Sequence, residues 1–271
     1  MTFNPIEQAC SLLLCPRPDE KSASALALRE HWHASKRNKY ETNVLPENTP
    51  GRPEKPDLVL PSEVPRRRLG SPQGRGALLH AIAHIELNAI DLAADMIARF
   101  AGHPLIFPDF QTDFIEDWSR VCAEEAKHFN LLTDRMESLG VTYGDYPAHN
   151  GLWDAAFKTR HDIAARLAIA PMVLEARGLD VTPGMIKKLD KIGDQKSVEV
   201  LRVIYEDEIG HVRIGAKWFQ AIAEMEGESP RPYFHQLVKT YFAGQLKPPF
   251  NVQARTLAGL TEDYYAPLAN C

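Results

Sequence analysis

From Gly76 onward the chain places apolar residues three and four positions apart, with little of the strict alternation or β-branched clustering that strands require. This spacing predicts four long helices, at about 76–101, 110–139, 152–178 and 195–226. A short helix is expected to open at Thr182-Pro183, a suitable N-cap and first-turn pair, and to close near Gly193. Further helical stretches at about 231–243 and 252–260 are expected to pack outside the bundle. The first 40 residues hold one or two amphipathic patterns, the clearer from Lys21 to Lys36. Between Asn43 and Gly76 proline, glycine and charge are too frequent for a helix, because proline lacks the amide donor and restricts its predecessor. The expected fold class is therefore all-α: a four-helix bundle over 76–226, an N-terminal helical segment and Pro-rich wrap over 1–75, and a C-terminal helical extension over 227–271, together one domain.

The apolar stripes of the four long segments are interrupted in a regular way. In the first, Leu78, Ile82, Ile85, Ala89, Leu92 and Met96 share a side with Glu86. The second runs Phe114, Trp118, Val121, Glu125, His128, Leu132, Leu139, so two polar residues take core positions. The third reads Phe157, Ala164, Ala168, Met172, Glu175, Leu179, and the fourth Val198, Leu201, Tyr205, Glu208, His211 or Val212, Gly215, Phe219, Ile222. Each helix thus carries a carboxylate toward the core.

Burying even one unpaired carboxylate costs several kcal/mol or more, so four require compensating charge. No comparable set of Lys or Arg lies on these stripes. Two divalent cations balance four carboxylates, two neutral imidazoles complete the donor set, and Glu-x-x-His puts both side chains on one helix face. The order Glu86, then Glu125 with His128, then Glu175, then Glu208 with His211 is a repeat offset by 83 to 89 residues, which implies a pseudo-twofold site. By chance this composition yields about 0.7 Glu-x-x-His pairs and the chain holds three, so the ordered placement, not any single pair, is the specific signal. The third pair, Glu30 with His33, has no matching lone Glu and is read as a surface occurrence.

One Glu from each of two helices and Glu-x-x-His from the other two is the ligand scheme of ferritin-like di-iron and di-manganese proteins. The stretches HAIAHIE (80–86), EEAKH (124–128), LEARGLD (174–180) and DEIGH (207–211), together with VPRRRLGSPQGRG (64–76), resemble a bacterial ferritin-like family of unassigned function, distantly related to tRNA-hydroxylating di-iron monooxygenases. The resemblance covers most of the chain. It implies a ferritin-like bundle holding two iron ions, with manganese as the alternative metal, and places Glu124 and Asp207 behind the ligands as acceptors for histidine N–H groups.

Three functions suit such a site. The first is a di-iron oxidoreductase that activates dioxygen, with electrons from an external donor, to oxidise or hydroxylate a small molecule or modified nucleoside. The second is a ferroxidase or iron-binding protein, which the 75-residue N-terminal segment disfavours by obstructing a compact shell. The third is manganese catalase-like peroxide disproportionation. No flavin or nicotinamide motif is visible, and a monomer or small homo-oligomer is expected.

Bulk properties set the remaining bounds. A composition 44% hydrophobic and 25% charged is that of an ordinary globular chain, and no apolar stretch is expected to approach the roughly 20 residues of a bilayer span. The formal charge of -5 offers nucleic-acid phosphate no general attraction. The opening MTFNPIEQACSLLLC lacks a basic start and contains Glu7, so a cytoplasmic location without membrane contact is expected. Cys10, Cys15, Cys122 and Cys271 form no CxxC pair and are read as reduced thiols, Cys122 as a small core side chain.

Among other residues, Arg66, Arg67 and Arg68, with Arg52, Lys55 and Arg75, are expected to anchor the wrap to acidic helix faces in preference to binding phosphate or tRNA. His80, His84 and His161 are read as structural, and Tyr205 as a core tyrosine. Gly210 leaves room beside the second pair or serves close packing. Pro171, four residues before Glu175, removes a helix hydrogen bond and is expected to kink the third helix beside the metal.

Overall fold

The computed structural model describes residues 3–35, 39–64, 68–242 and 244–269, and among these it is all-α, with one isolated parallel β-bridge, Leu58 to Ala148. Its helices are α1 (Pro5–Leu14), α2 (Pro18–Ser35), α3 (Pro72–Phe100), α4 (Gln111–Glu137), α5 (Gly151–Lys158), α6 (Ile163–Ile169), a π-helical segment (Ala170–Glu175), α7 (Ala176–Lys191), α8 (Gln195–Met225), α9 (Pro230–Tyr241), α10 (Val252–Leu257) and α11 (Glu262–Ala269). The chain divides into two compact units, Met1–Trp153 and Asp154–Cys271.

In the first unit α3 and α4 form the long antiparallel pair, with α2 lying on α4 and α1 on α3. Helix α3 begins four residues earlier than the apolar spacing indicates, because Ser71 accepts the Gly74 N–H at 3.1 Å and Pro72 occupies the first turn, where its missing donor costs nothing. From Glu86 to Phe100 nearly every residue of α3 is buried, so it is packed on all sides and not along one stripe. Ile85, expected in the core, is 45% exposed, and Leu79, Leu87 and Ile90 fill the interior instead. By length and composition alone, α3 is the one helix among the described residues apolar enough to cross a membrane. Fully 72% of that apolar window is buried within the protein, as in a core helix.

The wrap before α3 is held by buried charge. Lys21 Nζ donates to Asp91 Oδ1 at 2.5 Å and to the Gly51 carbonyl at 3.0 Å, while Arg52 pairs with Asp91 and donates to Asn88 Oδ1 at 2.6 Å. Gly51 is required where the wrap crosses the end of α1: a Cβ there would lie 2.8 Å from the Cys15 carbonyl carbon, and closer still to the Leu14 backbone. Arg52 therefore anchors the wrap as expected. Lys55 pairs with Asp57, Arg75 donates to the Leu69 carbonyl, and Arg68 is exposed, while Arg66 and Arg67 lie outside the described residues.

In the second unit the expected third helix is not continuous. It breaks after Lys158, restarts at Ile163 under an Asp162 cap that accepts from the Ala165 N–H at 2.9 Å, and passes through the π segment into α7. Phe157 is consequently 42% exposed and does not join the core stripe. Thr182-Pro183 does not open a new helix; Pro183 lies inside α7, which runs unbroken past Gly178 to Lys191. A short turn then leads to Asp194, which caps α8 by accepting from the Ser197 N–H at 3.2 Å, so α7 and α8 are antiparallel neighbours. The C-terminal helices are tied to α7 by Arg255, which is 3% exposed. Its guanidinium donates to Asp180 at 2.8 and 2.7 Å, with Phe250 and Tyr265 rings near its faces at 5.0 and 4.6 Å.

Candidate metal centre

Apolar spacing along α3 and α4 turns Glu86, Glu125 and His128 into the interior of the first unit, where they are 3%, 0% and 0% exposed. His128 Nδ1 lies 3.2 Å from Glu86 Oε2 and 3.3 Å from Glu125 Oε2. The three residues each offer a donor atom within 4.8 Å of the others, a carboxylate and imidazole cluster of the kind that holds a metal ion. Donors that share one ion at ~2.0–2.2 Å lie at most about 4.4 Å apart, so small side-chain movements bring the set to coordination distance.

Electrostatics in this cluster are unfavourable without a cation. Burial, reinforced by the adjacent Glu125 charge, pushes the Glu86 carboxyl up to about 8, with the His128 hydrogen bond acting in the opposite direction. Glu86 and Glu125 cannot both ionise cheaply in so dry a place. A divalent cation replaces the proton that one of them must otherwise keep, so the donor set fits a metal.

The second unit carries the matching residues. His211 is buried and its Nδ1 is 3.8 Å from Glu208 Oε2 on the same face of α8. Glu175 closes the π segment and is partly buried. Within each unit the Glu-x-x-His partners therefore lie side by side.

Glu124 pairs with Arg120 at 3.0 Å near the surface of α4, and Asp207 is partly buried on α8. Cys122 is fully buried, its thiol pushed up by burial and directed at the Ile90 carbonyl 3.7 Å away, as a core residue should be. Tyr205 accepts from Asn251 Nδ2 at 2.9 Å and so fastens the C-terminal segment to α8. His84 stands 2.8 Å from the Tyr143 hydroxyl and is lowered to about 4, chiefly by burial and then by Arg52. His80 accepts the Gly144 N–H at 2.9 Å, His161 meets the Tyr241 hydroxyl at 3.2 Å, and Glu30 and His33 are both exposed. Tyr143 and the buried pairing of Arg52 and Lys21 with Asp91 escaped the sequence reading, since such contacts join residues tens of positions apart in the chain.

A family model described as "Protein of unknown function (DUF455)" matches residues 14–266. The chain belongs to this family. A relative from Haemophilus influenzae, itself titled an uncharacterized protein, is 43% identical over 219 residues, covering 81% of this chain and 76% of its own. No solved structure matches the chain. Both Glu-x-x-His pairs, Glu86 and Glu175 fall within the matched DUF455 region.

Proposed function

We propose that this DUF455 protein is a ferritin-like di-iron oxidoreductase that uses dioxygen to oxidise or hydroxylate a small molecule or modified nucleoside. The observation that carries the reading is the buried Glu86, Glu125 and His128 cluster, whose donor atoms converge within 4.8 Å in the first unit. The repeat of the same residue types at Glu175, Glu208 and His211 supplies the second half of the donor set. In this reading Glu86 and His128 would serve one ion and Glu175 and His211 the other, with Glu125 and Glu208 completing the donor set.

When bound, the two ions supply the redox chemistry and the binding of dioxygen. The chain's own contribution is to gather four carboxylates whose charge two divalent ions cancel, and to keep water from the centre by burial. His128 and His211 bind as neutral imidazoles. An external donor returns electrons, and Glu124 and Asp207 orient the imidazoles from outside the donor set.

The test begins with elemental analysis of protein expressed in iron-supplemented medium, with Glu125→Ala prepared in parallel. About two metals per chain are expected in the wild type, with loss of most of that content in the variant and retention of its helical circular dichroism. A wild-type protein free of metal would overturn the reading. Oxygen uptake by the reduced protein distinguishes the oxidoreductase from peroxide disproportionation, which releases oxygen from added peroxide. Size exclusion distinguishes both from an iron-storing shell.

A further inference from the structure

Helix α8 carries Glu208, His211 and Gly215 at positions i, i+3 and i+7, so all three lie on one face within two turns. Opposite Gly215 stands Pro171. A Cβ added at Gly215 would fall on the Pro171 ring, 2.5 Å from its Cγ, a separation that carbon atoms do not reach without something shifting. Gly215 is therefore a notch cut into α8 to receive that ring.

Pro171 is also the second residue of the π segment. It has no N–H to give the carbonyl of Leu167, and in an ordinary α register its ring would collide with that carbonyl. The chain answers by widening one turn, in which the Ala176 N–H donates to the Pro171 carbonyl five residues back. One additional residue in a turn rotates everything after it by about 100° relative to an uninterrupted helix. Glu175 ends this segment, so the face it presents is set by the widened turn.

Because the helices on either side of the short 192–194 turn are antiparallel, one turn C-terminal of Pro171 is level with one turn N-terminal of Gly215. Those levels hold Glu175 on one side and His211, followed by Glu208, on the other. We infer that Pro171 and Gly215 are a paired positioning device that sets the height and rotation of Glu175 against Glu208 and His211, and so determines the affinity for the second metal ion. This inference rests on the dinuclear reading above. Pro171 and Gly215 touch no ion in it; they act through Glu175.

The test is an anaerobic titration with Fe(II) alone, comparing the wild type, Gly215→Ala, Pro171→Ala and Ile222→Val. Ile222 is buried on α8 away from the pair and serves as a control for ordinary loss of packing. Gly215→Ala is expected to take up its first equivalent with wild-type affinity and its second at least tenfold more weakly, while Ile222→Val keeps both. Pro171→Ala adds no atoms and restores the N–H, so it tests the same geometry even if Gly215→Ala does not fold, and it is expected to lose the second equivalent too. Two wild-type-like sites in a folded Gly215→Ala or in Pro171→Ala, or equal weakening in Ile222→Val, would overturn the inference and leave the dinuclear reading standing. A wild type that binds no Fe(II) would instead overturn the dinuclear reading itself, and this inference with it.

Discussion

Replacing Asp91 with alanine is expected to destabilise the protein by about 3–5 kcal/mol, the usual cost of breaking a buried ion pair from one side. The Lys21 and Asp91 side chains are 2% and 0% exposed, so solvent cannot compensate the ammonium once its carboxylate is gone. Burial already lowers Lys21 below its ordinary range, with Asp91 the chief group holding it up. Arg52, 18% exposed at its side chain, would lose the same partner, and the wrap would lose its hold on α3. Urea denaturation followed by circular dichroism measures this. The triple variant Lys21→Met, Arg52→Leu, Asp91→Leu is expected to recover much of the loss, because an apolar set carries no desolvation cost. A loss below about 1 kcal/mol in Asp91→Ala would mean that the network contributes far less than its burial indicates.

The metal-free protein should lose stability as pH rises from about 6 to about 8, opposite to the trend of ordinary carboxylates. Glu86 keeps its proton in the folded state up to about 8, while the unfolded chain releases it near the ordinary value of 4.5. The folded pKa is raised, so the stability this group contributes is fully present below 4.5 and is lost as pH climbs through the folded value. At most one proton separates the two states, giving an upper bound of about 1.4 kcal/mol per pH unit, or roughly 2–3 kcal/mol between pH 6 and 8. Urea midpoints of chelator-treated wild type and Glu86→Gln at both pH values provide the comparison, and the variant's curve should be flatter. Saturating metal should reverse the wild-type slope, since the ion competes with the proton for the same carboxyl and is favoured at high pH. Parallel wild-type and Glu86→Gln curves after chelation would remove Glu86 as the source.

These two expectations differ in how visible their residues are along the chain. Glu86, Glu125 and His128 could be found because each interrupts a local apolar stripe at helical spacing, and that period survives in α3 and α4. The Lys21–Asp91–Arg52 network has no such mark, because its members are separated by tens of residues and their pairing exists only after folding. Helix boundaries went astray where local chemistry had two solutions. Thr182-Pro183 reads as a helix start, yet Pro183 is carried inside α7 by the helix that precedes it. Ser71-Pro72 carries the same signal and is a true start, since the wrap before it cannot be helical. Ile85 and Phe157 were misplaced because a single stripe cannot describe either a helix buried on every side or one that breaks after Lys158. Pro171 announced a disturbance beside Glu175, but a kink and a widened turn look alike until the Gly215 notch opposite is seen.

The burial of α3 on all sides has a consequence for how the protein is made. Synthesis proceeds from the N-terminus, so α3 leaves the ribosome while α4, which covers it, is still held in the exit tunnel. During that interval only α1, α2 and the wrap shield a helix as apolar as a membrane segment. A nascent chain stalled with α3 outside the exit tunnel and α4 still within it is the species most exposed to aggregation or to capture by chaperones. Codon choice in the stretch that follows Gln111–Glu137, whose translation draws α4 out of the tunnel and so sets how long that interval lasts, should govern the soluble yield more than codon choice elsewhere in the gene.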